Sequence, residues 1–155
     1  MQKITPFLWF NNNAEEAIEF YTSVFPDTRV GTVTRYPEGA PVPAGTLLTA
    51  SFTLNGQEFT ALNGGPQFSF TEAVSFVIHC QSQEEVDYYW SKLSEGGEES
   101  RCGWLKDRFG LSWQVVPTAL PRLLSQSGGE KAGRVMQALM QMRKIEISAL
   151  EAAAA

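Results

Sequence analysis

The sequence predicts an α+β chain of two βαβββ-like modules followed by a helical tail. Three observations predict it. A strand–helix–strands order runs from residue 4 to 63 and repeats, in shorter form, from 73 to 117. Gly64-Gly65-Pro66 punctuates the chain between the two copies. Beyond Pro117 the apolar spacing changes from alternating to helical. The expected division is a first βαβββ module over 1–64, a second, shorter βαββ module over 65–118 and a helical tail over 119–155, in one compact unit overall.

Ile4 to Phe10 are apolar almost throughout, which suits a strand covered on both faces. Asn11-Asn12-Asn13 breaks the strand and offers N-caps for a helix over 14–25. Ala14, Ala17, Ile18, Tyr21 and Phe25 form its buried stripe, and Glu15, Glu16 and Glu19 its wet side. The acidic first turn also complements the helix dipole. Strands follow over 29–36, 46–54 and 57–63, the last two joined by Asn55-Gly56, a strong hairpin signal. A loop rich in Pro and Gly fills 37–45.

The second module opens with a strand over 73–80. Ser82 with Glu85 three residues on is a capping box starting a helix over 83–93, and Gly96-Gly97 stops it. A short strand over 101–106 and a strand over 111–117 complete the set. Alternation puts Ser112, Gln114 and Val116 on one face of the last strand, with Trp113 and Val115 on the other. The turn between these strands, Lys106 to Gly110, reads as a solvated Asp107–Arg108 pair followed by a glycine free to take positive φ. In the tail, 120–126 and 130–144 read as helices, with Val135, Leu139 and Met142 as a stripe needing a partner surface. Ser148 and Glu151 read as a second capping box opening a terminal helix.

Composition narrows the function classes. The 155 residues suffice for a real core, and 43% hydrophobic content belongs to a folded protein rather than a disordered one. A net charge of −5 without clustered Lys and Arg argues against nucleic acid as partner. No run approaches the ~18 apolar residues of a membrane helix. No signal-peptide pattern opens the sequence, so the expected compartment is the cytoplasm with both thiols reduced. Two cysteines without CxxC spacing and a single histidine leave no zinc site of the Cys/His type.

Two regions carry a family resemblance: Pro6 to Phe10 with Ala14 to Tyr21, and the run Asn63–Pro66, Gln83–Trp90, Gly96–Glu98 and Cys102–Pro117. Arg134–Met136 and Lys144–Ile147 look similar too. On these residues the chain resembles the PhnB-like, or 3-demethylubiquinone-9 3-methyltransferase-like, branch of the vicinal-oxygen-chelate superfamily of glyoxalase I, bleomycin-resistance proteins and extradiol dioxygenases. The resemblance implies paired βαβββ modules forming a cupped mixed sheet around a cavity, and homodimers, with modules exchanged between chains as one arrangement.

Metal-dependent members of the superfamily place ligands on the first and last strands of both modules. The motifs carry those positions onto Pro6, Phe59 or Ala61, Ser75 and Gln114. The first three of these residues have no side-chain lone pair, and Ser and Gln are weak neutral ligands, so no metal is expected. Methyl transfer from S-adenosylmethionine would call for a glycine-rich turn between strand and helix, and none of the glycine pairs has that setting.

The expected cavity wall comprises Pro6, Leu8, Phe10, Phe59, Ala61, Ser75, Val77, His79, Trp104 and Gln114, with Phe7 and Trp9 packed under the first helix. His79 is either a hydrogen-bonded strand-end residue or a ligand contact or proton shuttle. Cys80 is expected in the core and Cys102 near the cavity lip, as a structural residue or a modestly reactive thiol. Gln114 either binds a ligand or satisfies nearby backbone. The function expected is a small-molecule-binding module without metal or cofactor. The alternatives are an enzyme, metal-assisted or with His79 as base, doing lyase, isomerase or oxygenase chemistry, and a structural role with the cavity filled.

Overall fold

The computed structural model describes residues 2–126 and 128–155. The chain divides into two compact units, Met1–Phe70 and Thr71–Ala155.

The first unit runs β1 (Phe7–Phe10), α1 (Ala14–Val24), β2 (Arg29–Arg35), β3 (Leu47–Leu54) and β4 (Gln57–Asn63). The sheet order is β1-β4-β3-β2, with β1 parallel to β4 and the other pairs antiparallel. Asn55 and Gly56 adopt φ of 48° and 84°, the two positive values that a tight hairpin turn matched to strand twist requires. Tyr21 of α1 stacks on Phe52 at 6.3 Å, and Phe52 on Phe59 at 5.4 Å, so the aromatic centre of this unit lies between helix and sheet. Asn63, 3% exposed, ties the layers together. Its Oδ1 accepts the Ala14 N–H at 3.0 Å and its Nδ2 donates to the Leu47 carbonyl at 3.2 Å. Asn63 thus does the capping expected of Asn13, whose own Oδ1 is buried without a partner.

β2 is an edge strand exposed along its whole length, and its register against β3 slips between Val30 and Val33 and again between Thr34 and Arg35. Gly31 lies against the Ser51 hydroxyl, where any Cβ would collide, and that hydroxyl accepts the Thr32 N–H at 2.8 Å. The first compact unit extends to Phe70, and aromatic contacts reach past the glycines. Trp9 donates to the Gly65 carbonyl at 3.0 Å and meets Phe68 edge-on at 4.9 Å, while Phe10 meets Phe70 at 5.3 Å.

The second unit runs β5 (Ser75–Cys80), α2 (Gln83–Ser94), β6 (Glu98–Glu99), β7 (Trp104–Lys106) and β8 (Ser112–Pro117). The sheet order is β5-β8-β7-β6, with β5 and β8 parallel. β6, two glutamates with no strand propensity, completes a full βαβββ set where the sequence suggested βαββ. Ser82 caps α2 as expected, its Oγ accepting the Glu85 N–H at 3.2 Å, while Glu85 reaches back to the Gln81 N–H at 2.6 Å.

The tail belongs to this second unit and forms α3 (Ala119–Gln126), α4 (Gly129–Met140) and α5 (Ile147–Ala154). Val135 and Leu139 are buried with Leu120, Ile145 and Leu150, and Met142 packs against that cluster. The stripe therefore finds its partner surface within the chain. α4 ends at Met140 instead of continuing to 144, because residues 142–147 bond elsewhere in the unit. α5 starts one residue before Ser148, with Glu146 at its N-cap and no side-chain cap, so the Ser148–Glu151 capping box does not form. Five helices are described, and none is long and apolar enough to cross a membrane.

The 106–110 turn departs from the solvated pair expected of it. Asp107 is 3% exposed and its carboxylate accepts from Phe109 N at 2.8 Å, Leu111 N at 3.1 Å and Trp113 Nε1 at 2.9 Å. Arg108 lies outside, 3.8 Å from Glu95.

Candidate functional site

The second unit has one face under α2 and one turned away from it. Val86, Tyr89, Trp90 and Leu93 of α2 are buried, as are Cys80, Leu105, Trp113 and Val115 of the sheet. Side chains alternate along a strand, so Ser75, Val77 and His79 of β5 stand on the far face with Gln114 and Val116 of β8. Trp104 lies opposite Gln114 on β7 and joins them.

The structure thus collects five of the expected residues, Ser75, Val77, His79, Trp104 and Gln114, on one surface. Val77 is 42% exposed, His79 is exposed, and Ser75, Gln114 and Trp104 are half-buried. Gln114 Nε2 donates to Ser75 Oγ at 3.0 Å. Ser112 shares this parity, paired with Ser75 on one side and Lys106 on the other. Its hydroxyl is buried without a partner, a state that costs about 1–3 kcal/mol. Lys106 Nζ lies 2.7 Å from Glu72 Oε1. That hydrogen bond holds the Glu72 carboxyl below, and the Lys106 ammonium above, their usual ranges.

Neither thiol joins the face. Cys80 is fully buried on the α2 side, and burial, reinforced by the Glu85 charge, pushes its thiol up to about 12, leaving it protonated and inert. Cys102 packs against the tail cluster, its N–H bonded to the Met142 carbonyl at 2.9 Å.

The first-unit candidates fall on the other side of their sheet. Leu8 is 6% exposed, Phe10 2%, Phe59 4% and Ala61 0%, and the Phe59–Phe52–Tyr21 stack fixes that side as the one under α1. Pro6 has the parity of Leu8, and its carbonyl accepts the Thr60 N–H at 2.9 Å. These five residues are core or core-facing, not the wall of an open surface. Phe7, 59% exposed, and Trp9 occupy the open side instead, reversing the expected order. Phe7-Leu8-Trp9-Phe10 is apolar in both parities, so alternation alone had no power to choose. The usable signal was Ala50 opposite Ala61, small residues that let a helix approach closely.

A divalent metal does not fit these residues. Phe59 and Ala61 are buried under α1, Pro6 has no side-chain donor, and Ser75 and Gln114 are neutral and bonded to each other. Among the described residues no group of three or more His, Cys, Asp or Glu is placed to hold a metal ion.

Residues 2–116 match the family model described as 3-demethylubiquinone-9 3-methyltransferase, so the expected likeness at 134–147 lies outside the match. A PhnB protein from Bacillus cereus is 40% identical, with a TM-score of 0.69 over 76% of this chain and 100% of that chain. Protein PA1353 from Pseudomonas aeruginosa is 22% identical, with a TM-score of 0.62 over 76% and 98%. The fosfomycin resistance protein FosX from Listeria monocytogenes, 16% identical with a TM-score of 0.51 over 76% and 93%, shares the fold alone. A comparison with curated protein sequences gives no match.

A methyl donor fits no better than a metal. Gly64 supports the Trp9 indole, Gly97 admits the backbone of Lys106 and Asp107, and Gly128-Gly129 opens α4 after a helix rather than a strand. The glycines serve packing and turns.

Proposed function

This chain belongs to the 3-demethylubiquinone-9 3-methyltransferase family, with the glyoxalase-like fold of the vicinal-oxygen-chelate superfamily, and on that premise we propose that it is a metal-free small-molecule-binding protein. Its ligand lies on the face carrying Ser75, Val77, His79, Trp104 and Gln114. The observation that carries this reading is the Gln114–Ser75 hydrogen bond beside the buried, unpartnered Ser112 hydroxyl. Polar groups converging among Val77, Trp104 and Val116 suit a ligand with an aromatic ring and a hydroxyl or carbonyl. The test is ligand-observed NMR of the full chain with a set of phenols and aromatic ketones, alongside metal analysis of protein purified without chelator. Binding that weakens about tenfold in Gln114→Ala, the loss of one hydrogen bond, is the expected result. Stoichiometric zinc, manganese, iron or nickel, or binding indifferent to both Gln114→Ala and Trp104→Ala, overturns the reading.

His79 on the same face supports a second reading, an enzyme using this imidazole as general base. Turnover abolished in His79→Ala with ligand binding retained would distinguish it.

We also propose a homodimer in the cytoplasm. β1 and β5 are sheet edges, and Phe7 and Val77 on them are 59% and 42% exposed. Sedimentation as a 17.1 kDa particle at micromolar concentration would refute it.

A further inference from the structure

We propose that the C-terminal helices are a positioning element of the candidate site: residues 142–147 hold Trp104 in place beside Gln114. The family match ends at residue 116, before α3 begins, so this element is an addition to the matched fold.

The contact is made at the two residues preceding Trp104. Cys102 N–H donates to the Met142 carbonyl at 2.9 Å and Gly103 N–H to the Arg143 carbonyl at 2.8 Å. Both residues have positive φ, 59° and 85°, and for Cys102 that is a sparsely populated conformation that needs outside support. The Gly103 carbonyl accepts the Val115 N–H at 2.8 Å, so the same turn is pinned to β8. Ile145, fully buried, fills the space above Gly103 so closely that a Cβ there would lie 2.8 Å from its Cδ1.

The segment is anchored from its other side by α2. Gln83 donates to the Ile145 carbonyl at 3.0 Å and accepts the Ile147 N–H at 2.7 Å, and Lys144 Nζ lies 2.8 Å from Asp87 Oδ1. Val116, on the candidate face, packs against the tail cluster, which therefore also walls that end of the face. Gln83 and Ile145 are positioning residues acting through the Cys102–Gly103 turn, and their relevance to binding rests on the reading that Trp104 lines the site.

The test uses the full chain labelled with 5-fluorotryptophan, the Trp104 resonance being assigned with Trp104→Phe. Gln83→Ala and Ile145→Ala are expected to shift the Trp104 resonance and to speed exchange of the Cys102 and Gly103 amides about tenfold. Ile145→Val, which keeps most of the filling, should restore both, and Trp90 of α2 and Trp113 beneath that helix should not move. An unmoved Trp104 resonance in both Ala variants, or Trp90 and Trp113 shifting as far as Trp104, overturns the proposal. No ligand enters the measurement, so its failure and a failure of the binding reading are separate results.

Discussion

The Asp107 carboxylate accepts the Trp113 indole N–H at 2.9 Å while its other oxygen takes two backbone N–H groups of its own turn. One buried acid thereby fixes the β7–β8 connection, the start of β8 and the rotamer of the indole beneath α2. Because β8 also carries Gln114, the register of the candidate face depends on a residue that lies on the opposite side of the sheet.

Asp107→Ala should therefore destabilise the protein by about 3 kcal/mol, since buried donors are left unsatisfied and hydrogen bonds to a charged acceptor are the strong ones. Urea denaturation followed by circular dichroism measures it. A loss below about 0.5 kcal/mol, the range of ordinary surface substitutions, would show that water replaces the carboxylate.

The reversal of faces in the first unit can be checked with one pair of variants. Phe59→Ala empties a buried site beside Phe52 on the α1 side of the sheet and should cost about 3–5 kcal/mol. Phe7→Ser alters a residue 59% exposed and should leave the stability of the isolated chain within about 0.5 kcal/mol. The opposite ranking in denaturant midpoints would return β1 and β4 to the arrangement expected from sequence.

Cys80 sets a dependence on alkaline pH. Its folded thiol ionises at about 12, against about 8.5 in an unfolded chain, so the folded state holds the proton more tightly between those values. Its contribution is complete below the unfolded value and is lost as pH rises through that window. The stability of wild type minus that of Cys80→Ala should fall from pH 8 to pH 11, and a maleimide should label Cys80 only after unfolding. A flat difference, or rapid native labelling of Cys80, would contradict the burial.

Element order was legible because punctuation agreed with periodicity. Asn55-Gly56, Ser82 with Glu85, and the apolar spacing of α1 each act within a few residues, and each forms as read except at the end of α1, where Val24 is buried and Phe25 is the non-helical C-cap. The second-unit face was legible for a related reason: β8 alternates Ser, Gln and Val against Trp and Val, so one parity is visibly drier. β1 offers no such contrast. Two further misses are long-range. Asn63 caps a helix that begins 49 residues earlier, and no local pattern marks it. Asp107 looked wet because charge in a turn usually is, and only the folded arrangement brings the indole of Trp113 onto it.

The slipped register of β2 has a consequence for how the molecule behaves in company. Val30 and Val33 are 50% and 39% exposed on an outer strand, which would ordinarily invite another chain to dock and extend the sheet. Of its two slips, the one between Val30 and Val33 places the extra residue on β2 itself and the one between Thr34 and Arg35 places it on β3, so the spacing of backbone donors and acceptors along the outer strand is broken at the valines. Gly31, folded against Ser51, holds one of those dislocations in place. A bulge at that point twists the edge and makes it a poorer template for a docking strand, which lowers the cost of keeping two valines in water there.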